Sequence, residues 1–348
     1  MNNLKQATIR LFFVSLLCCS YFLPLAALAA SSEAERTALV EGAKKEGKVV
    51  WYTAVTTAEA DKLLKKFHEK YPFITPEVFR SGDEKLLIKA MGESQAKRYL
   101  FDAIMTTGTT MILMQRKGLF SKYLSPERKF YNAAGKDPEG YWTDLYLNLN
   151  VIGYNTKLVS PKDLPKKYED LLLPRWKGKL GMDTKAFEWF AGVLKVMGEK
   201  KGLEYMKKLG EQNIQFRTGR TLNAQMVAAG EVDMSITIYN QRVEEMKAQG
   251  APIDWVAIEP LVPGIHPLAI SAHAPHPNAA RLLVDFLLSK EGQELIASFY
   301  RIPSRTDVEP IVPTMRRGLK IMDSDFNFDL VDNHEKITKL YRQTLMKK

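Results

Sequence analysis

Apolar positions along the chain switch between two periods. Lys48–Thr53 (KVVWYT) reads as a short buried strand, and Ala60, Leu63, Leu64, Phe67 and Tyr71 then share one face at helical spacing. Residues 76–80 give a second strand, with Leu86, Leu87, Ala90 and Met91 striping a helix after it. Residues 101–105 follow as a third strand, and 109–117 as a helix stopped at Gly118. That β-α-β-α-β order predicts a mainly parallel sheet with helices on both faces.

A second run of the same kind starts after Asn155. Strands are expected at 179–182, 214–217, 232–238, 253–258 and 266–271. Phe187, Phe190, Ala191, Leu194 and Met197 stripe one intervening helix, and further helices are expected at 222–229 and 279–288. There is no internal repeat and no low-complexity segment. Extended stretches at 145–154 and 258–270 join the two runs. Two such crossings make a hinged pair of lobes with a cleft between them.

The chain opens with Lys5 and Arg10, an apolar run from Leu11 to Leu23, Pro24, and the small-residue stretch ending Ala27-Leu28-Ala29. These are the parts of a cleaved secretory signal peptide over residues 1–29, cut before Ala30, which implies a periplasmic protein. Both cysteines, Cys18 and Cys19, lie in that leader. The mature chain is then expected to hold no disulfide, no thiolate metal site and no cysteine nucleophile. Its length suits two domains. The formal charge of +10 is spread thinly among alternating Lys and Glu or Asp. No concentrated basic patch with interleaved aromatics marks a nucleic-acid partner. The five histidines show no metal-ligand spacing, and no serine sits in a recognisable nucleophile turn, so an enzyme is not expected.

Three motifs carry a family resemblance. Tyr141–Asn150 with Ile152–Thr156 resembles the hinge strand of the ferric-ion-type periplasmic solute-binding proteins, whose members take up iron(III), phosphonates or sugar phosphates. Pro161–Pro165 followed by Asp170–Lys179 (DLLLPRWKGK) resembles their next landmark, and His276–Ala280 through Leu288–Gln293 the third. The resemblance implies an α/β, two-lobed type II periplasmic-binding-protein fold with two hinge crossover strands. It assigns residues 30–147 and 262–348 to the first lobe and 148–261 to the second, with the C-terminal helices free to straddle both. It also implies a monomer that delivers a small-molecule anionic ligand to an inner-membrane ABC permease and its ATPase, with no cofactor.

In such a fold the ligand lies beyond the carboxyl ends of the strands, where hydroxyl and glycine residues lead into helices. That rule selects Thr53, Thr56, Thr57, Arg80, Ser81, Thr107, Gly108, Asp183, Thr184, Arg217, Thr218, Arg220, Tyr239 and Asn240. Asn148, a polar residue among Leu145, Leu147 and Leu149 on the hinge strand, joins them. Arg80 on one lobe and Arg217 or Arg220 on the other are candidate clamps on carboxylate or phosphate, with Thr221 expected to cap the helix after them. The iron-carrying members resemble one another in a histidine, a glutamate and a tyrosine pair. Here the histidine position falls on Thr56 and the pair at or beside Tyr239-Asn240-Gln241, which leaves Tyr239 with Glu93 as the alternative ferric set.

Overall fold

The computed structural model describes residues 23–323 and 326–346. Most of the expected leader lies outside the described residues, and the first described element is helix α1 (Leu23–Glu46). This helix was not expected from the sequence. Its C-terminal part is held by partners far along the chain: Arg36 donates to Asp285 at 3.0 Å, and the Glu46 carboxylate accepts from the backbone N–H groups of Asn278 and Ala279. Glu46 thereby caps the start of a distant helix, α9 (Pro277–Leu288), whose first N–H groups have no partner within the helix.

The first run matches its expected pattern closely. Strands β1 (Lys48–Thr53), β2 (Thr75–Arg80) and β3 (Ala103–Met105) pair in parallel in the order β2-β1-β3. Helices α2 (Thr57–Lys70), α3 (Asp83–Gln95) and α4 (Gly108–Arg116) follow the three strands in turn. Trp51, Phe67, Leu63, Ile74 and Phe286 are wholly buried among them. A short β4 (Phe120–Ser121) closes this part.

The crossover strand β5 (Trp142–Asn155) runs unbroken through 14 residues, almost all buried. Further on come β6 (Leu180–Asp183), α5 (Phe187–Met197), α6 (Glu199–Gly210), β7 (Gln215–Arg217), α7 (Arg220–Ala229), β8 (Met234–Tyr239), α8 (Asn240–Ala248) and β9 (Ile253–Val256). β6 pairs in parallel with β7 and β8, giving a second parallel sheet over a second core around Trp189, Phe190, Leu209 and Met234. The return strand is β10 (Pro263–Ser271).

The crossovers depart from the expected parallel arrangement. β10 is antiparallel to β3 and to the first half of β5, whereas the second half of β5 is antiparallel to β8 and β9. One long strand therefore belongs to both sheets, and two lobes meet along β5 and β10. After α10 (Lys290–Ala297) and β11 (Ile302–Pro303), the chain ends in α11 (Phe326–Asp332) and α12 (His334–Leu345). α12 packs on the second lobe: Tyr341 is buried edge-on to Phe187 and Phe190, and its hydroxyl donates to the Asp183 carbonyl.

Candidate functional site

A cavity of about 870 Å³ opens between the lobes at the carboxyl ends of their strands. From the first lobe its wall takes Thr56, Glu59, Lys62, Arg80, Asp83, Thr107 and, from the chain after α10, Arg301. From the second it takes Asp183, Lys185, Glu188, Thr218, Arg220, Thr221 and Tyr239, while Tyr146, Asn148 and His266 face it from the crossover strands.

The first-lobe wall is built around Glu59. Thr56 precedes α2 and forms a capping box: its hydroxyl accepts from Glu59 N, and the Glu59 carboxylate accepts from Thr56 N. The same carboxylate takes two parallel hydrogen bonds of 2.9 Å from Arg301. Burial works to raise Glu59, but the charge of Arg301 and these hydrogen bonds outweigh it and hold the carboxyl below its ordinary range. Arg301 also lies 4.1 Å over the Tyr146 ring, which stacks on His266 at 4.3 Å. Burial, helped by the nearby Arg301 charge, pushes His266 down to about 3, so the imidazole is neutral. Two cations on this wall are different. Arg80 donates only to the Val55 carbonyl, and Lys62 rests over the Phe299 ring, so neither has a carboxylate partner among the described residues.

The second-lobe wall centres on Arg220. Its guanidinium carbon lies 4.3 Å from the centroid of the Tyr239 ring, and Nε donates to Asn150 Oδ1 at 3.3 Å. Its other nitrogens come within 3.6 Å of Asp183 and 3.9 Å of Glu188, ion pairs too long for hydrogen bonds. Burial pushes the Tyr239 phenol up, with Arg220 pulling the other way. Burial also raises Glu188, Arg220 opposes that, and Asp83 across the cleft adds to it. At the mouth, Lys185 reaches Glu84 of the opposite lobe at 3.5 Å.

Of the residues selected from sequence, Thr56, Arg80, Thr107, Asn148, Asp183, Thr218, Arg220 and Tyr239 are brought together in this wall. The others lie outside it. Thr53 is buried and accepts from Val55 N. Thr57 is exposed at the start of α2, and Ser81 N donates to the Thr53 carbonyl. Gly108 is buried, and a Cβ there would sit 2.5 Å from Ile265. Thr184 bonds to Thr218 beside the cavity. Arg217 is exposed and donates to the carbonyl of Phe216. Asn240 is fully buried, bonded to Leu149 N and to the Met315 carbonyl. Glu93 takes the Tyr52 hydroxyl at 2.9 Å and Lys89 at 2.6 Å, away from the cleft and from Tyr239. Thr221 does not cap its helix: Gly219, at φ 105°, holds the cap position, and Thr221 sits in the first turn.

Glu59, Asp83, Glu188, Tyr146, His266 and Arg301 were not selected from sequence. The Thr56-x-x-Glu59 capping box was the readable signal for Glu59. Arg301 follows Tyr300, whose positive φ of 60° turns the chain sharply, and nothing local announces that its side chain reaches the cleft.

Comparison with known proteins fits this geometry. Residues 101–328, well over half the chain, match the family described as bacterial extracellular solute-binding protein. An uncharacterised protein of Haemophilus influenzae is 26% identical over 268 residues, which cover 73% of this chain and 76% of that one. The major ferric iron-binding protein of Neisseria meningitidis is 25% identical over 232 residues, covering 62% of this chain and 66% of that protein. Among solved structures, the periplasmic binding protein AfuA of Actinobacillus pleuropneumoniae, with exogenous fructose-6-phosphate bound, superposes with a TM-score of 0.74 at 24% identity. That superposition covers 87% of this chain and 99% of AfuA, and it shows the two-lobed type II periplasmic-binding-protein fold.

Proposed function

The chain belongs to the bacterial extracellular solute-binding proteins, and on that footing we propose that it is the periplasmic capture component of an ABC importer for a small organic anion. The cargo carries a carboxylate, phosphonate or phosphate and is held between the lobes. The protein binds and releases it without catalysis and hands it to an inner-membrane permease driven by its ATPase. The observation that carries this reading is the pair Arg80 and Lys62, cations on the cleft wall with no carboxylate partner, facing Arg220 on the opposite lobe. A guanidinium offers a fork of donors that matches a carboxylate or phosphate. Calorimetry of the parent and Arg80→Ala with the solute released from protein of native periplasm tests the reading. The variant should bind roughly tenfold more weakly. Equal affinity would remove the anion from this wall.

The ferric reading draws on the relatives that carry iron. Fe(III) favours several anionic oxygens, and the two residues the resemblance offers do not converge: Tyr239 lines the cleft, whereas Glu93 is engaged by Tyr52 and Lys89. The organic anion is therefore preferred.

A further inference from the structure

Charge in the cleft is segregated. Arg301 is matched by Glu59, and Arg242 by Glu245 at 2.7 Å, so both of those cations are neutralised. Lys62 and Arg80 form an unmatched positive end. The Arg220 wall has the opposite imbalance. Asp183 is 3% exposed and Glu188 is largely buried, yet Arg220 is their one ion-pair partner among the described residues, and neither carboxylate is within hydrogen-bonding distance of it. Asp83, whose Oδ1 accepts from the Thr106 hydroxyl and Thr107 N, faces them from the other lobe. Three carboxylates thus confront one guanidinium at this end of the cleft, and although Asp183 also accepts from Lys185 N, their charge is not balanced there.

A second, independent feature points the same way. Asn148 is 3% exposed, lines the same cavity, and its side-chain oxygen has no hydrogen-bond partner. It stands two residues before Asn150 on β5, hence on the same strand face, and Asn150 is the residue that receives Arg220. A buried acceptor left unmade costs the full desolvation of that group, so a donor is expected there. Hydroxyl donors would satisfy Asn148 but would leave the excess negative charge in place. A protonated amine supplies three donors and a positive charge together.

We infer that the cargo is a zwitterion: apart from its anionic group it carries a protonated amine, which seats against Asn148, Asp183, Glu188 and Asp83 beside Arg220. This rests on the anion reading above and extends it to the opposite end of the cleft. The anionic group lies toward Arg80 and Lys62, so the cleft sets the polarity of the bound molecule.

The test is calorimetry with two isosteric probes, 2-aminoethyl phosphate and 2-hydroxyethyl phosphate, and with ethanolamine as a third. The amine probe should bind at least ~tenfold more tightly than its hydroxyl counterpart, the scale of one hydrogen bond to a charged group. Glu188→Gln and Asn148→Ala should each erase most of that preference, with thermal melts confirming folding. Asp183→Asn provides a third variant should either of these fail to fold. Arg80→Ala should weaken both phosphates alike and leave the preference intact. Equal binding of the two phosphates, or a preference that survives Glu188→Gln and Asn148→Ala, overturns the amine and leaves the anion reading standing. Ethanolamine binding as tightly as 2-aminoethyl phosphate supports the amine site and overturns the anion. No binding by any probe at millimolar concentration overturns both.

Discussion

Arg301 and Glu59 are joined by two parallel hydrogen bonds of 2.9 Å, although their positions in the chain are 242 residues apart. The pair ties the segment after α10 to the first turn of α2, directly under the first-lobe wall of the cleft. Arg301 is thereby occupied, whereas Arg80 donates only to the Val55 carbonyl.

Breaking this pair should be costly. Arg301→Ala leaves a buried carboxylate without its cation, an effect of about 3–5 kcal/mol. The sign with pH follows from Glu59 lying below its ordinary range. The stabilisation is fully present above the unfolded value of about 4.3 and is lost as pH falls through the lower folded value. Thermal melts of parent and variant should therefore be far apart at pH 7 and converge at acid pH. A constant gap would show that the loss is one of packing alone.

Asp144 behaves oppositely. It is fully buried on β5, and burial lifts its carboxyl to about 7 against the hydrogen bonds it receives from Ser304 Oγ and His266 N. A folded value above the unfolded one means the native state holds the proton more tightly. Its contribution is then greatest below about pH 4 and is lost as pH rises through 7. Asp144→Asn should remove that slope, and near pH 8 it should be more stable than the parent by an amount on the order of 1–3 kcal/mol, seen as a higher melting temperature. Parallel pH profiles for the two proteins would contradict the assignment.

The two arginines on either side of the turn from β7 to α7 should respond unequally. Arg220 lies in the cavity wall over Tyr239, whereas Arg217 is exposed and bonded only to its neighbour's carbonyl. Arg220→Ala removes the ion-pair partner of Asp183 and Glu188 beside the proposed amine seat and should change ligand affinity by roughly tenfold or more. Arg217→Ala should change it less than about twofold. Comparable changes in calorimetry would mean that the turn swings inward in the bound state.

β5 runs through both lobes without a break, and β10 returns beside it, which makes this pair the expected hinge between the lobes. Closure of this kind accompanies ligand binding in two-lobed binding proteins. Small-angle scattering should show a smaller radius of gyration at saturating ligand. An unchanged radius would place binding on one lobe alone.

Much of the fold was legible because the apolar period is local. β1 at Lys48–Thr53 appears where KVVWYT puts it, and the stripe at Ala60, Leu63, Leu64 and Phe67 is the buried face of α2. Helix α1 was not legible, because its partners, Asp285 and the first turn of α9, lie more than two hundred residues away. The same division runs through the cleft. Thr56, Thr107 and Thr218 are readable because strand-to-helix turns are marked by their residue types. Arg301, Tyr146 and His266 are set by tertiary packing, and in sequence they look like an arbitrary cation and two core aromatics. Asn148 sits between these cases: a lone amide among leucines signalled a partner, and it lines the cleft with its buried side-chain oxygen unpaired.

The central claim, an organic anion held between the lobes, is tested most directly by purifying the protein from native periplasm and identifying by mass spectrometry the solute released on denaturation. A single colourless organic acid, phosphonate or phosphate ester, bound at one per chain, is the predicted result. A neutral solute would contradict it, as would stoichiometric ferric iron with a visible charge-transfer band that Tyr239→Phe abolishes.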